Sequence, residues 1–251
     1  KVLLLYLMHL LYLNGWAASS AMLDELRSKL PPSYDLDVLD DVYQFELTGV
    51  VSKIDELIRP DTVLMAWSLG GMLALYYASL NGVKNKPAAL ILLNSSACFL
   101  EKADFFEGVS RADFRRLKSL VADQDTKALL RLFTHLLVEG SQSHKEDRRL
   151  LKRVFNAETL PAWATLSLGL DYLESLDLRR KIDSIQLPGL VILGENDALI
   201  NAASASDLFR KNTSFKVKVI PGMGHFPFGL FTQNLAEVIL DYLNSLSEKK
   251  F

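Results

Sequence analysis

Short apolar runs alternate with amphipathic segments along most of the chain. The runs are rich in Val, Ile and Leu and end at glycine or polar residues, which is typical of strands buried on both faces of a parallel sheet. Strands are predicted at residues 2–13, 34–39, 63–67, 88–94, 189–194 and 215–220, and helices near 21–30, 50–58, 73–78 and 233–246. This alternation predicts an α/β fold with a mostly parallel central sheet and helices on both faces.

The pattern changes between residues 101 and 176, where the strand signals stop and helical periodicity takes over. An insertion of about 75 residues between two core strands has the size and position of a cap over a binding site. We therefore predict a core formed by residues 1–100 and 177–251, with residues 101–176 as an inserted helical cap.

The amino-terminal segment allows two interpretations. Lys1, an apolar run and the small residues Ala17, Ala18 and Ser19 resemble a secretory signal peptide. Cleavage there would remove a strand that the alternation places in the sheet. We therefore expect residues 2–13 to form a core strand.

Composition excludes several classes of function. The 251 residues are 49% hydrophobic and carry a formal net charge of -2, which gives no reason to expect a nucleic-acid partner. A single cysteine, Cys98, rules out an internal disulfide and a cysteine-built zinc site. No apolar stretch is long enough to span a membrane. We expect a single globular enzyme with no cofactor and no metal.

A candidate nucleophile lies where the third predicted strand meets a helix. Ser68 stands between the small residues Ala66 and Gly70, in the pattern A-x-S-x-G. A buried strand that ends in a serine at the head of a helix is the nucleophile elbow of α/β-hydrolases, which more often read G-x-S-x-G. The same residues also occur in ordinary strand-to-helix turns, so the motif needs the partners of a catalytic triad.

These partners follow in the chain order typical of α/β-hydrolases, which is serine, acid, histidine. Asp197 comes directly after the strand at 189–194, and His225 lies in a glycine-rich loop after the strand at 215–220. Glu195 and Asp183 are the alternative acids, although Asp183 precedes its strand and would lie at the opposite edge of the sheet. The other histidines are expected in the core or in helices: His9, His135 and His144.

An oxyanion hole needs two backbone N–H donors. We predict that they belong to Leu69, which follows the nucleophile, and to Trp16, in the loop after the first strand. Asn14 occupies a position in that loop that is usually histidine in this fold, so the loop must be braced differently.

The predicted cap carries a basic stripe. Lys145, Arg148, Arg149 and Lys152 share one helical face, and Lys127 and Arg131 form a second pair. The stripe is either a solvated face balanced by Glu146 and Asp147, or a docking surface for an acidic protein or a phosphate group.

Four sequence elements are informative when they are taken together. They are Trp67-Ser68-Leu69-Gly70-Gly71, Ser95-Ser96-Ala97-Cys98-Phe99, Gly169-Leu170 with Asp177-Leu178-Arg179, and His225-Phe226-Pro227-Phe228. Together they resemble one family, the pimeloyl-[acyl-carrier protein] methyl ester esterases of bacterial biotin synthesis. The likeness extends over residues 13–243. The chain departs from the family at Asn14, Ala66 and Gly224, and in a glycine-free turn that begins at Asp40.

The resemblance implies a cytoplasmic, monomeric serine carboxylesterase that releases methanol from the methyl ester of pimeloyl-acyl-carrier protein. Ser68, His225 and Asp197 would act through an acyl-enzyme. Phe133 and Leu137 would line the acyl channel, and Trp67 would flank the nucleophile, although all three also fit ordinary core packing. The basic residues expected to bind the acidic carrier protein are Lys127, Arg131, Lys145 and Arg149.

Two other functions remain open at this point. A general short-chain carboxylesterase or thioesterase would use the same chemistry on small free esters. A hydrolase-fold binding protein would have lost catalysis, but the presence of Ser68, Asp197 and His225 argues against it.

Overall fold

A computed structural model describes residues 8–40 and 42–248. Its sheet is entirely parallel, with the strand order β2-β1-β3-β4-β5-β6. The strands are β1 (His9–Leu13), β2 (Asp35–Leu39), β3 (Val63–Trp67), β4 (Ala89–Leu93), β5 (Gly189–Gly194) and β6 (Phe215–Ile220). The predicted α/β class with a parallel sheet is confirmed. The first six residues of the predicted first strand, 2–7, lie outside the described residues.

The helices connect these strands and cover the sheet. They are α1 (Asp24–Lys29), α2 (Leu47–Leu57), α3 (Leu69–Ala78), α4 (Arg111–Ala122), α5 (Thr126–Val138), α6 (His144–Val154), α7 (Trp163–Ser175), α8 (Ala202–Arg210) and α9 (Thr232–Glu248). Short 3-10 helices occupy Ser20–Leu23, Val42–Gln44 and Arg179–Ser184. Helix α8 was missing from the sequence prediction. The predicted helix near 21–30 is divided into a 3-10 turn and α1, which ends before Pro31.

Burial follows the position of each strand in the sheet. Every residue of β1, β3, β4 and β5 is buried, whereas the edge strands β2 and β6 are partly exposed. On β6, Lys216 and Lys218 alternate with less exposed residues, so charged side chains line this open edge. His9 lies in the core as expected, where Nδ1 is 2.7 Å from Thr62 Oγ1 and Nε2 is 3.1 Å from Asp37 Oδ2.

Helices α4 to α7 lie between β4 and β5, in the segment for which a cap is predicted. Two of them begin at side-chain caps, because Ser110 accepts a hydrogen bond from the Asp113 amide and Asp125 accepts one from the Ala128 amide. In α7, a Cβ on Gly169 would lie 2.6 Å from Trp16 Cδ1, so the glycine permits close contact with the loop after β1. None of the helices in the described ranges is long and apolar enough to cross a membrane.

Candidate active site

Ser68 occupies a strained turn between β3 and α3. Its φ is 52° and its ψ is -119°, which places a residue with a Cβ in a region that favours glycine. The turn is held by hydrogen bonds from the Ser68 amide to the Leu93 carbonyl (3.0 Å) and from Ser95 Oγ to the Ser68 carbonyl (2.7 Å). A Cβ on Gly70 would lie 2.5 Å from the Leu13 carbonyl oxygen, so α3 can start beside β1 only if this residue is glycine.

The structure brings together Ser68, His225 and Asp197 from three separate strand ends. His225 Nε2 is 3.0 Å from Ser68 Oγ, and His225 Nδ1 is 2.7 Å from Asp197 Oδ2. An ionised carboxylate only accepts hydrogen bonds, so the ring proton belongs on Nδ1 and Nε2 is free to accept from the serine hydroxyl. Both side chains are buried, His225 at 1% exposure and Asp197 at 0%. A hydroxyl in this arrangement can give its proton to the imidazole as it attacks a carbonyl carbon.

Asp197 is fixed by its own loop. Its other oxygen, Oδ1, accepts hydrogen bonds from the amides of Leu199 (2.8 Å) and Ile200 (2.9 Å). The alternative acids lie elsewhere: Glu195 is exposed and accepts from the Gly222 amide, and Asp183 is exposed in the 3-10 helix before β5. Of the three carboxylates, it is Asp197 that contacts His225.

Two side chains hold the backbone of His225: Asn94, which the sequence prediction left unassigned, and Trp67, which it placed beside the nucleophile. Asn94, at the end of β4 with φ 41°, donates from Nδ2 to the carbonyls of Gly224 and His225, both at 2.9 Å. Its Oδ1 accepts from the Gly194 amide at 2.7 Å. Trp67 donates from Nε1 to the His225 carbonyl at 3.1 Å. The available signal for Asn94 was an asparagine at the end of the apolar run predicted as the strand 88–94.

The loop after β1 passes directly beside the nucleophile. A Cβ on Gly15 would lie 3.2 Å from Ser68 Cβ, and Trp16 follows it. The loop is braced from the glycine-free turn, because Asn14 Nδ2 donates to Asp40 and the Ala17 amide donates to Tyr43 Oη at 2.8 Å. The turn thus forms a 3-10 helix that presents a tyrosine to this loop.

The Leu69 amide is the first of α3. Amides in the first turn of a helix have no intrahelical acceptor, so this N–H is free to face an anion. It therefore stands next to Ser68 at the positive end of the helix dipole.

A cavity of about 360 Å³ opens beside Ser68. Its walls are largely apolar. The apolar residues that line it from the loop after β4 and from the inserted helices include Phe99, Val109, Phe114, Leu117, Phe133, Leu136 and Leu173. Phe133 lines the cavity as predicted, and its ring meets Trp16 edge-on with centroids 4.9 Å apart.

Two residues predicted to contact substrate do not line this cavity. Leu137 is fully buried, and its neighbour Leu136 on α5 faces the cavity, because the two side chains point about 100° apart around the helix. Trp67 is 1% exposed, and its ring packs against His225 and Phe228 at centroid distances of 5.6 and 5.3 Å. Trp67 therefore packs against His225 and does not face the cavity.

The Asp-Leu-Arg element joins the loop after β4 to the segment before β5. Arg179 pairs with Asp177 (2.7 Å) and Asp104 (2.9 Å), and its guanidinium lies 5.2 Å from the ring centroid of Phe105. The hydrogen bonds from Arg179 lower the pKa of Asp177 and of Asp104. Arg179 thereby joins residues 104–105 to the segment that precedes β5.

The basic stripe lies on the surface of the inserted helices. Its side chains are exposed, and none of them pairs with an acidic residue in the described ranges: Lys127, Arg131, Lys145, Arg148, Arg149 and Lys152. Asp147 was expected to balance this face, and that expectation is wrong. It is 1% exposed on the side of α6 opposite Lys145, because two positions along a helix place the side chains about 160° apart around its axis.

Comparisons with known proteins identify the family of this chain. Residues 15–239 match the sequence profile described as the Alpha/beta hydrolase family. The pimeloyl-[acyl-carrier protein] methyl ester esterase of Xanthomonas campestris pv. campestris (strain B100) is 29% identical over 246 residues, covering 94% of this chain and 95% of that protein. The enzyme of that name from Xylella fastidiosa (strain M12) is 28% identical over 248 residues, covering 94% and 95%. The family resemblance read from the sequence is thereby confirmed.

Solved structures show the same fold. An esterase from Exiguobacterium antarcticum superposes with a TM-score of 0.77 at 19% identity, covering 94% of this chain and 92% of that one. MenH from S. aureus superposes with a TM-score of 0.75 at 17% identity, covering 96% and 94%. With the sequence match over residues 15–239, these likenesses lead to one conclusion: the chain belongs to the alpha/beta hydrolase family.

Proposed function

We propose that this protein is a serine carboxylesterase that hydrolyses the methyl ester of pimeloyl-acyl-carrier protein to pimeloyl-acyl-carrier protein and methanol. One observation carries the ester chemistry: Ser68 Oγ, the His225 ring and the buried Asp197 carboxylate form one continuous hydrogen-bonded chain. The substrate is supported by the names of the relatives that match 94% of the chain.

The reaction proceeds in two halves. His225 Nε2 takes the hydroxyl proton as Ser68 Oγ bonds to the ester carbonyl carbon, and the carbonyl oxygen becomes an anion that the Trp16 and Leu69 amides stabilise. The intermediate collapses, and the methoxy group leaves as methanol with the proton from His225. Water, activated by the same nitrogen, then cleaves the acyl-enzyme and restores the serine. Asp197 holds the ring in the required tautomer throughout.

The cavity beside Ser68 accounts for an acyl chain. Its apolar walls remove methylene groups from water, at about 0.8 kcal/mol for each buried CH₂. Phe133 and Leu136 on α5 contact the chain in this arrangement, and residues 101–176 act as the cap that encloses it. The reaction needs no cofactor or metal.

The acyl-carrier protein docks on the cap in this proposal. Lys127, Arg131, Lys145 and Arg149 are exposed cations without acidic partners among the described residues, and a carrier protein presents acidic side chains and a phosphopantetheine phosphate. Charge complementarity of this kind raises the rate of encounter. We place the enzyme in the cytoplasm as a monomer, where it meets the carrier.

Two substrates test the chemistry and the specificity together. The purified protein should release methanol from the carrier-bound methyl ester with a kcat/KM well above that for a small methyl ester, and Ser68→Ala should abolish both by at least about three orders of magnitude. Equal kcat/KM for the two esters would favour a general short-chain esterase. Full activity of Ser68→Ala would refute the nucleophile, and absence of labelling by a fluorophosphonate would favour a binding protein.

Reversal of charge on α6 tests the docking surface. Lys145→Glu/Arg149→Glu should lower kcat/KM for the carrier-bound ester by about 10-fold or more at low salt and spare the small ester. This loss should become smaller as salt is added, because exposed charges are screened over about 8 Å at physiological ionic strength. Lys216→Glu/Lys218→Glu on the exposed edge of β6 makes the same change in net charge away from the cap and is the matched control. Parallel losses on both esters, or equal losses in the control, would contradict docking on α6.

A further inference from the structure

Asp147 is a buried carboxylate that the proposed reaction does not use. It lies on the inner face of α6 with 1% exposure, and Oδ2 accepts hydrogen bonds from Ser141 Oγ (2.9 Å) and Ser143 Oγ (2.6 Å). The two serines are also buried, at 5% and 1%, and their hydroxyls are 3.0 Å apart. Burial raises the pKa of Asp147, and the hydroxyl hydrogen bonds oppose this only in part. A group this costly to bury calls for an explanation.

The segment that Asp147 organises contacts the loop of His225 at both ends. The Phe226 amide donates to the Leu137 carbonyl at 3.0 Å, and the Gln142 amide donates to the Gly222 carbonyl at 3.0 Å. His225 lies between these two attachments. Residues 137–142 thus form a backbone strap across residues 222–226.

The strap packs closely against the residue that precedes His225. A Cβ on Gly224 would lie 2.9 Å from Ser141 Cβ, closer than real Cβ atoms approach. The glycine that precedes the histidine therefore leaves room for Ser141. On the other side, Oδ1 of Asp147 lies against Gly229, just beyond the His225 loop, and a hydrogen bond from the Leu230 amide helps to lower the pKa of this carboxylate against the effect of burial.

The same segment reaches the loop of the acid. Asn196 donates from Nδ2 to the Gly140 carbonyl at 2.9 Å and from its backbone amide to the Met223 carbonyl at 2.9 Å. Gly140 has a φ of 77°, which residues with a Cβ rarely adopt, and it packs on the Asn196 backbone. Asp197 is the next residue, so both triad partners of Ser68 border the strap.

We propose that Asp147, with Ser141 and Ser143, is a positioning group that locks the strap against the loops of His225 and Asp197. The proposal rests on the proposed function, because it assigns these residues to the geometry of that reaction. Asp147 acts through the backbone and touches no substrate. Its carboxylate is the shared acceptor of two buried hydroxyls, so its removal takes that acceptor from both and frees the turn that they define. A shift of about 1 Å in a catalytic group can cost about 100-fold in rate.

Asp147→Ala tests the proposal with a small soluble ester, so that docking of the carrier plays no part. We expect kcat to fall by about 10- to 100-fold with little change in KM. The low-field proton resonance of the His225 Nδ1–H should shift or broaden. Asp147→Asn keeps an oxygen for both serines and should restore most of the activity. Ser143→Ala removes one of the two hydroxyls, should give an intermediate loss, and serves where Asp147→Ala does not fold.

Asp125→Ala is the matched control. This aspartate caps α5 in the same inserted region and contacts neither triad loop, so its loss should lower the stability of the protein and leave kcat and the His225 resonance unchanged. The proposal is overturned if Asp147→Ala keeps the parent kcat and resonance, or if Asp125→Ala loses as much. Activity in Ser68→Ala would instead refute the proposed function, which separates the two failures.

Discussion

The strained backbone of Ser68 leads to a quantitative prediction about stability. With φ 52° and ψ -119°, its Cβ occupies a sparsely populated conformation that costs about 1–3 kcal/mol. Ser68→Ala keeps the Cβ and therefore the strain, whereas Ser68→Gly releases it. Both variants lose the same hydroxyl, so the hydrogen bond to His225 cancels in the comparison. Glycine also lowers the free energy of unfolding by about 0.4–1 kcal/mol relative to alanine, because it increases the entropy of the unfolded chain.

The difference should leave Ser68→Gly more stable than Ser68→Ala by about 0.5–2 kcal/mol, which corresponds to about 1–8 °C in Tm for a chain of this size. Thermal and urea unfolding of the two inactive variants, measured side by side, give both numbers. Ala66→Gly is the control, because Ala66 lies within strand β3 and has no strain to release, so glycine there should only destabilise. An Ala variant at position 68 that equals or exceeds the Gly variant in stability would refute the assignment of strain.

Three further predictions concern the surroundings of the serine. Asp197→Asn should lower kcat by about 10⁴-fold, because the amide favours the wrong tautomer of the histidine, while Glu195→Gln should stay within about tenfold in the same ester assay; the reverse order would identify the wrong acid. Tyr43→Phe leaves the Ala17 amide unpaired and should lower kcat about tenfold, whereas Tyr12→Phe removes a buried hydroxyl that has no partner in the described ranges and should not. Asp147→Asn should gain stability relative to the parent as pH rises. Because the pKa of Asp147 is raised in the folded protein, the carboxyl group ionises at lower pH in the unfolded chain than in the folded one. The contribution of Asp147 to the stability of the parent is therefore greatest below the unfolded-state pKa and is lost as pH rises through the folded-state pKa. Urea midpoints across the acid range show whether that gap widens.

The strand ends were predictable from the sequence because the chemistry of a parallel sheet is local to them. Three apolar runs stop at a serine, an aspartate or a glycine-rich loop with histidine. Each of these patterns predicts that the polar residue lies at the carboxyl edge of the sheet. Parallel strands share that edge, so Ser68, Asp197 and His225 could be expected to meet although 157 residues separate the outer two. Helix α8 was not recognised, because it has only nine residues and its apolar and polar residues are nearly balanced.

The tertiary structure decided what surrounds those strand ends. Which face of α5 lines the cavity depends on how the helix packs on Trp16, so Leu136 and Leu137 could not be told apart from a run of apolar residues. Asp147 resembled a solvated charge because its neighbours in sequence are charged, yet the contact with Ser141 and Ser143 buries it. Sequence patterns record the period of an element and the residues at its ends. The rotation of that element, and the residues from distant segments that pack against it, depend on side-chain volumes summed over the whole core, which no local pattern contains.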